Sequence, residues 1–237
     1  MSKLILTRHG QSVWNAENRF TGWVDIDLSE KGILEAEKSG QLIKNLNINI
    51  DVSYTSFLKR AIKTLTTILK ENGLELKFNT SWELNERHYG SLTGLNKDEM
   101  KKKLGEDKIH VFRRSWDSPP EPLSRNNPYH PLNIEIYKDI PKDKIPDTES
   151  LKDTYDRVIP YFKENIEKKI RENVLISAHG NSIRSLCKFL FGISNEEISK
   201  LEIPTGNPLI LEFNENVKLL NAKYLDKKRA KDLIKFS

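Results

Sequence analysis

The sequence predicts an α/β protein, a three-layer sandwich in which a mainly parallel central sheet is covered by helices on both faces. Two observations carry that prediction. Short apolar runs alternate along the chain with stretches of helical spacing, the pattern of βα units rather than hairpins. Two of those runs, Leu4-Ile5-Leu6 and Val174-Leu175-Ile176, also end alike, in Arg8-His9-Gly10 and Ala178-His179-Gly180, and each precedes polar, helix-starting sequence. In a parallel sheet these are strand C-termini, the edge at which ligands meet helix N-termini.

The elements follow in order. A strand is expected over residues 3–7, then a polar loop rich in Asn, Arg and Gly through Trp23. Residues 29–46 place Ile33, Ala36, Ile43 and Leu46 on helical spacing, with Ser29 as N-cap. Val52-Ser53-Tyr54-Thr55 reads as a second strand. Leu58, Ile62, Leu65 and Leu69 form the apolar face of the next helix, which Gly73 stops, and a strand is expected near Leu76–Phe78. Residues 82–146 hold most of the prolines and little periodicity apart from Lys97–Leu104. With Trp116, Tyr129 and Tyr137 in it, this segment reads as an ordered excursion over a site, a lid or insertion centred on about 90–146. Helical spacing resumes at Ser150, which forms a capping box with Asp153, and Leu151, Tyr155, Val158, Phe162 and Ile166 share a face kinked at Pro160. A strand at 173–178, a helix at 182–191 and strands near 208–213 and 217–224 complete a single domain spanning 1–237, with a short tail at 226–237.

Composition narrows the function. The 237 residues carry 39 Lys and Arg against 34 Asp and Glu, a net charge of +5 that suits a small anionic substrate in a basic cleft. No basic and aromatic interleaving marks a nucleic-acid face. No apolar run is long enough for a bilayer, and nothing resembles a signal peptide, so a cytoplasmic protein without membrane attachment is expected. The single Cys187 cannot form an internal disulfide and lies in an apolar helical stretch, as a core thiol does.

Two histidines at one sheet edge, the first beside an arginine, suggest phosphoryl chemistry. A neutral imidazole attacks phosphorus and holds it as a phosphoramidate that remains reactive toward a second acceptor. Charge on the equatorial oxygens then calls for fixed cations. Arg8 adjoins His9, and Arg60 opens the helix after the second strand, at the same edge. His179 is placed to donate to the transferring group, and the planar fork of arginine suits bidentate binding. Transfer to an alcohol also needs a proton handler, for which Glu86 in Asn85-Glu86-Arg87-His88-Tyr89-Gly90 is the candidate. Singly these features are ordinary: Arg-His-Gly is a common tripeptide, Glu86 alone reads as a surface carboxylate, and Arg113-Arg114 as a solvated pair. His88, His110 and His130 lack ligand-like spacing, which points away from a metal hydrolase.

The ordered set of motifs resembles the cofactor-dependent phosphoglycerate mutases of the histidine phosphatase superfamily, from about residue 3 to 225. The resemblance lies in Leu6-Thr7-Arg8-His9-Gly10-Gln11-Ser12, Trp14-Asn15, Arg19-Phe20-Thr21-Gly22-Trp23, Glu86-Arg87-His88-Tyr89-Gly90, Gly94-Leu95-Asn96-Lys97, Arg113-Arg114-Ser115, Glu149-Ser150-Leu151-Lys152-Asp153-Thr154 and Ala178-His179-Gly180-Asn181-Ser182. It implies a phosphoglycerate mutase-like fold, His9 as the phosphorylated nucleophile and Glu86 as general acid and base. Arg8, Arg60 and His179 would hold the phosphoryl group. Asn15, Thr21, Gly22, Tyr89, Lys97, Arg113, Arg114, Gly180 and Asn181 would line the substrate pocket. The implied reaction interconverts 2-phosphoglycerate and 3-phosphoglycerate in glycolysis and gluconeogenesis, primed by 2,3-bisphosphoglycerate and without metal, in a homodimer or homotetramer. Lys97, Arg113 and Arg114 in the long insertion favour a mutase over a phosphatase of small esters, over bisphosphoglycerate synthesis, and over a non-catalytic phospholigand sensor. Ser91, Thr93 and Phe57 depart from the family pattern without removing a charge, whereas the 226–237 tail departs throughout.

Overall fold

The computed structural model describes residues 1–75 and 77–230. In chain order its main elements are β1 (Ser2–Arg8), α1 (Val13–Ala16), α2 (Glu30–Lys44), β2 (Val52–Thr55), α3 (Lys59–Glu71), β3 (Asn79–Thr80), α4 (Lys97–Leu104), α5 (Glu106–Arg114), α6 (Leu151–Tyr161), β4 (Val174–Ala178), α7 (Gly180–Phe191), β5 (Leu209–Phe213) and β6 (Leu219–Tyr224). They build one sheet in the order β3-β2-β4-β1-β5-β6. The first four strands in that order are mutually parallel, and β5 and β6 extend the sheet by antiparallel pairing. The sheet is mainly parallel, as the sequence predicts, with a mixed edge.

Period-two alternation sends successive side chains of the central strands to opposite layers. Leu4 and Leu6 of β1, Val174 and Ile176 of β4, and Leu209 and Leu211 of β5 pack under α6 and α7 with Val158, Phe162, Ile183 and Leu186. Ile5, Leu175 and Ile210 face the other way, onto Ile43 of α2 and Leu65, Ile68 and Leu69 of α3. Cys187 lies in the first layer, fully buried, and burial pushes its thiol up to about 12, which suits a packing role.

The caps form where the sequence places them. Ser29 Oγ accepts from Gly32 N, and Ser150 with Asp153 forms the reciprocal box that opens α6. Pro160 lies inside α6, where it removes one backbone donor, and the helix relaxes into a π turn over Phe162–Ile166.

Several expectations need correction. The strand expected near 76–78 is the two-residue edge strand β3 at Asn79–Thr80, whose side chains are exposed, and Leu76 itself lies outside the described residues. Pairing with β2, rather than local apolarity, sets that strand. Ile33 is exposed on α2, where Gly32, Ala36, Ser39, Gly40 and Ile43 form the buried face. Small residues there admit α3 at close range. The 82–146 segment is ordered but less irregular than expected, because α5 follows α4 through Gly105. Ile109 of α5 packs on Phe20 and Leu92. Farther along, Tyr137 is buried against Trp23 and donates to its carbonyl oxygen at 2.5 Å. Of the 226–237 tail, residues 231–237 lie outside the described residues.

One backbone approach bears on the site. A Cβ on Gly10 would run into the Gly32 carbonyl, and one on Gly32 into the Gln11 carbonyl. The start of α2 therefore docks on the backbone that carries His9, and Ser29 N donates to Gln11 O at 2.9 Å. Gly32→Ala is expected to cost about 1–3 kcal/mol, read as a lower urea midpoint, together with lower activity. An unchanged midpoint would show that the approach is not tight.

Candidate active site

Register assembles the site. β1 and β4 pair from Leu4 with Val174 through Arg8 with Ala178, so His9 and His179 leave the sheet side by side. β2 pairs with β4 up to Thr55 and Ser177, which brings Ser56 to the same edge. The His9 and His179 rings lie 4.9 Å apart between centroids, tilted by 59°.

His9 is 2% exposed, and its Nδ1 lies 2.6 Å from Gly10 O. A carbonyl only accepts, so Nδ1 carries the proton and Nε2 holds the free lone pair. Burial, then the charges of Arg60 and Arg8, hold the imidazole well below the usual histidine range. At neutral pH it is an uncharged nucleophile. His179 is fully buried and pushed down by burial first, then by Arg60 and His9. Its Nε2 meets Ser56 Oγ at 2.8 Å, whereas its Nδ1 has no partner. Ser56 Oγ already accepts from Leu58 N, so its own proton is available to Nε2. In that tautomer Nδ1–H of His179 is a spare donor beside His9.

Glu86 is 7% exposed at the N-terminus of α7. Its Oε1 accepts from Arg87 N at 2.8 Å, Asn181 N at 3.1 Å and Asn181 Nδ2 at 2.8 Å. That leaves Oε2 as the oxygen outside the three bonds, able to carry a proton. The segment bearing Glu86 is clamped from behind. Arg157 donates to the carbonyls of Glu83, Asn85 and Glu86 and pairs with Glu149 at 2.6 Å, while Glu149 Oε2 accepts from His88 N.

Two lobes that share wall residues open in front of these groups. The inner lobe, about 90 Å³, is lined by Arg8, His9, Asn15, Thr21, Gly22, Arg60, Glu86, Tyr89, Lys97 and Arg113, and also by Arg19 and Phe20. Its five cations face one carboxylate. Arg60 is 1% exposed, and its two terminal nitrogens each give a bond to the Val24 and Gly22 carbonyls, so it also anchors the 22–24 loop. Burial lowers it to about 10, which leaves it charged at neutral pH. Lys97 is lowered to about 8 by burial, then by Arg113 and Arg8. Arg8 Nε and Thr21 Oγ1 are buried without partners. With His179 Nδ1 they are unspent donors around His9, the provision a phosphoryl group requires.

The outer lobe, about 460 Å³, shares Arg8, Glu86, Tyr89 and Arg113 with the inner one and adds Arg114, Gly180 and Asn181. Every site residue singled out from the sequence thus lines a lobe except His179, which is fully buried with its ring against that of His9. The geometry modifies two expectations. Asn181 spends its amide on Glu86 and on Tyr89 Oη (3.1 Å). Arg114 is paired with Glu202 at 2.7 Å. Arg19, part of the Arg19–Trp23 motif but given no role from the sequence, stacks at 4.0 Å on Trp14 beside the inner lobe, and Arg184, Glu35, Glu202, Thr205 and Arg229, likewise given no role, line the outer one. Arg184 follows Asn181 by three residues, a helical neighbour that spacing alone could have flagged. Arg229 opens the divergent tail; it is tied to the Thr205 and Gly206 carbonyls and paired with Asp226.

A neutral imidazole with a directed lone pair, ringed by fixed cations and a carboxyl group with one free oxygen, is equipped to move phosphoryl groups through a phosphohistidine. The chain belongs to the histidine phosphatase superfamily (branch 1), whose family description matches residues 4–130 and 125–224. Within it, a curated relative from Pelagibacter ubique, a 2,3-bisphosphoglycerate-dependent phosphoglycerate mutase, is 61% identical and covers 100% of both chains. Another of the same name from Maricaulis maris is 46% identical over 98% of each chain. Among solved structures, a mycobacterial glucosyl-3-phosphoglycerate phosphatase superposes with a TM-score of 0.72 at 19% identity over 100% of each chain, a likeness of fold.

Proposed function

We propose that this protein interconverts 2-phosphoglycerate and 3-phosphoglycerate through phosphohistidine at His9, with 2,3-bisphosphoglycerate as primer and intermediate. The observation that carries the reading is the pairing of a uniquely directed His9 Nε2 with unspent donors and five cations in the inner lobe. The full-length relatives named for this reaction support it.

In the priming step His9 Nε2 bonds to phosphorus as the ester P–O bond breaks, and Glu86 gives its proton to the departing alkoxide. In the return step the hydroxyl of a monophosphoglycerate attacks phospho-His9, the P–N bond breaks, and Glu86 takes the hydroxyl proton. Arg8, Arg60 and His179 hold the equatorial oxygens throughout. Lys97, Arg113 and Arg114 take the carboxylate and the second phosphate, with Arg114 exchanging Glu202 for substrate. Asn15, Thr21, Gly22, Tyr89 and Gly180 shape the remaining wall. The outer lobe gives the bisphosphate room to turn, and the ordered 90–146 segment limits the access of water to phospho-His9. The fixed cations supply the charge stabilisation, so the reading needs no metal. Such a role belongs to glycolysis and gluconeogenesis, and a cytoplasmic location is part of this proposal. Among the described residues no helix is long and apolar enough to cross a membrane.

The test is a steady-state assay on 3-phosphoglycerate with trace 2,3-bisphosphoglycerate, in which phosphate release is followed in parallel. Formation of 2-phosphoglycerate that depends on the bisphosphate is expected. Rapid free phosphate without 2-phosphoglycerate would replace the reading with hydrolysis.

A pH dependence follows from Lys97. Its charge is present below about 8 and lost as pH rises through that value, because burial and neighbouring cations disfavour the protonated amine. The profile of kcat/KM, which reports the free enzyme, should therefore fall across that pH, and Lys97→Arg should move the fall to higher pH. A profile identical in the two enzymes would show that the fall does not come from Lys97.

A further inference from the structure

Arg184 lies on α7 three residues after Asn181, 4% exposed at the wall of the outer lobe, and no step above uses it. Its Nη1 donates to Asn181 Oδ1 at 3.0 Å. Its Nη2 donates to Ile198 O at 2.5 Å and reaches Arg114 O at 3.5 Å. Among the described residues no carboxylate forms a salt bridge with it, and Nε is buried without a hydrogen-bond partner. A guanidinium kept in the interior on these terms is costly to bury. The chemistry of Asn181 suggests what retains it.

A primary amide presents two faces of nearly the same shape and opposite polarity. Asn181 uses its Nδ2 face twice, toward Glu86 Oε1 at 2.8 Å and Tyr89 Oη at 3.1 Å. That orientation supports Glu86 only while Oδ1 points away and has a donor. Arg184 is that donor, and as a group with no acceptor it can meet only the oxygen face. Without it the amide is free to turn, and Oδ1 would then oppose Glu86 Oε1, repelling the carboxylate. The Ile198 and Arg114 carbonyls hold the other guanidinium nitrogen, so Arg184 is itself anchored.

We infer that Arg184 is a positioning residue for phosphoryl transfer: it locks the Asn181 amide with Nδ2 toward Glu86 and so keeps the proton-bearing oxygen, Oε2, aimed at the reacting hydroxyl. The inference rests on Glu86 acting as acid and base. Lysine is a poor substitute, because one ammonium cannot span Asn181 Oδ1 and Ile198 O in the fixed geometry of a fork.

The experiment is a double-mutant cycle on mutase turnover with R184Q, R184K, E86Q and the combined variants, with KM and thermal midpoint recorded for each. R184Q should lower kcat roughly 10- to 100-fold with little change in KM, since the substrate is held by Arg8, Lys97 and Arg113. R184K should recover part of the loss. In the E86Q background either Arg184 change should cost almost nothing further, because the group it serves is gone. If the Arg184 changes cost the same factor in both backgrounds, or act mainly on KM, the inference is overturned. Should R184Q fail to fold, R184K in the two backgrounds decides the same question. A small effect of E86Q alone would instead remove the acid and base reading of Glu86, an outcome distinct from failure of the Arg184 inference.

Discussion

Replacing His9 with alanine is expected to abolish labelling by 32P-bisphosphoglycerate and to lower mutase turnover on the order of 10⁶-fold. Among the described residues no second nucleophile stands ready. His179 is the other imidazole at the sheet edge, but its Nε2 is engaged by Ser56 and its Nδ1 carries the ring proton, so it has no free lone pair. Cys187 is buried in the core with its thiol raised to about 12. The cations that bind the phosphate remain in His9→Ala, so the variant should still bind bisphosphoglycerate, and calorimetric titration checks this. Persistent label on the variant would show that another residue accepts the phosphoryl group.

Replacing Arg157 with methionine should destabilise the protein by about 3–5 kcal/mol, because it leaves the Glu149 carboxylate buried without its cation. Both side chains are almost inaccessible, 9% and 4% exposed. For a chain of this size that loss corresponds to a thermal midpoint lower by about 6–20 °C. Activity should fall with it, since Arg157 also holds the carbonyls of Glu83, Asn85 and Glu86. Adding Glu149→Leu removes the unpaired charge and should restore part of the stability. Recovery stays partial, because the three carbonyls and His88 N still lack partners. Unfolding followed by circular dichroism measures both variants, and a shift smaller than that of an ordinary surface substitution would contradict the clamp.

How far the sequence carries follows from the range of each interaction. Strands ending in His-Gly, the Ser29 cap and the Ser150-Asp153 box were legible because each is set within a few residues. The residues around His9 were legible as a group through the resemblance of their motifs to a known family. What stayed hidden depends on partners far along the chain. β3 is a strand only because β2 pairs with it, and its Asn-Thr sequence has no strand signal of its own. Ile33 is exposed because α2 turns its glycines and alanine toward α3 and the His9 loop. α5 is a charged helix with one fully buried residue, Ile109, so its periodicity is faint. Arg157 looked like one more cation on a helix, and its buried pairing with Glu149 appears only when the Glu86 segment folds over it.

The most direct test is a single turnover of isolated phosphoenzyme. Protein labelled at His9 with 32P is freed of ligand and mixed with unlabelled 3-phosphoglycerate. The account predicts that the label leaves the protein into 2,3-bisphosphoglycerate and then 2-phosphoglycerate, with inorganic phosphate a minor product. Label released chiefly as inorganic phosphate, or label that stays on the protein, would contradict it.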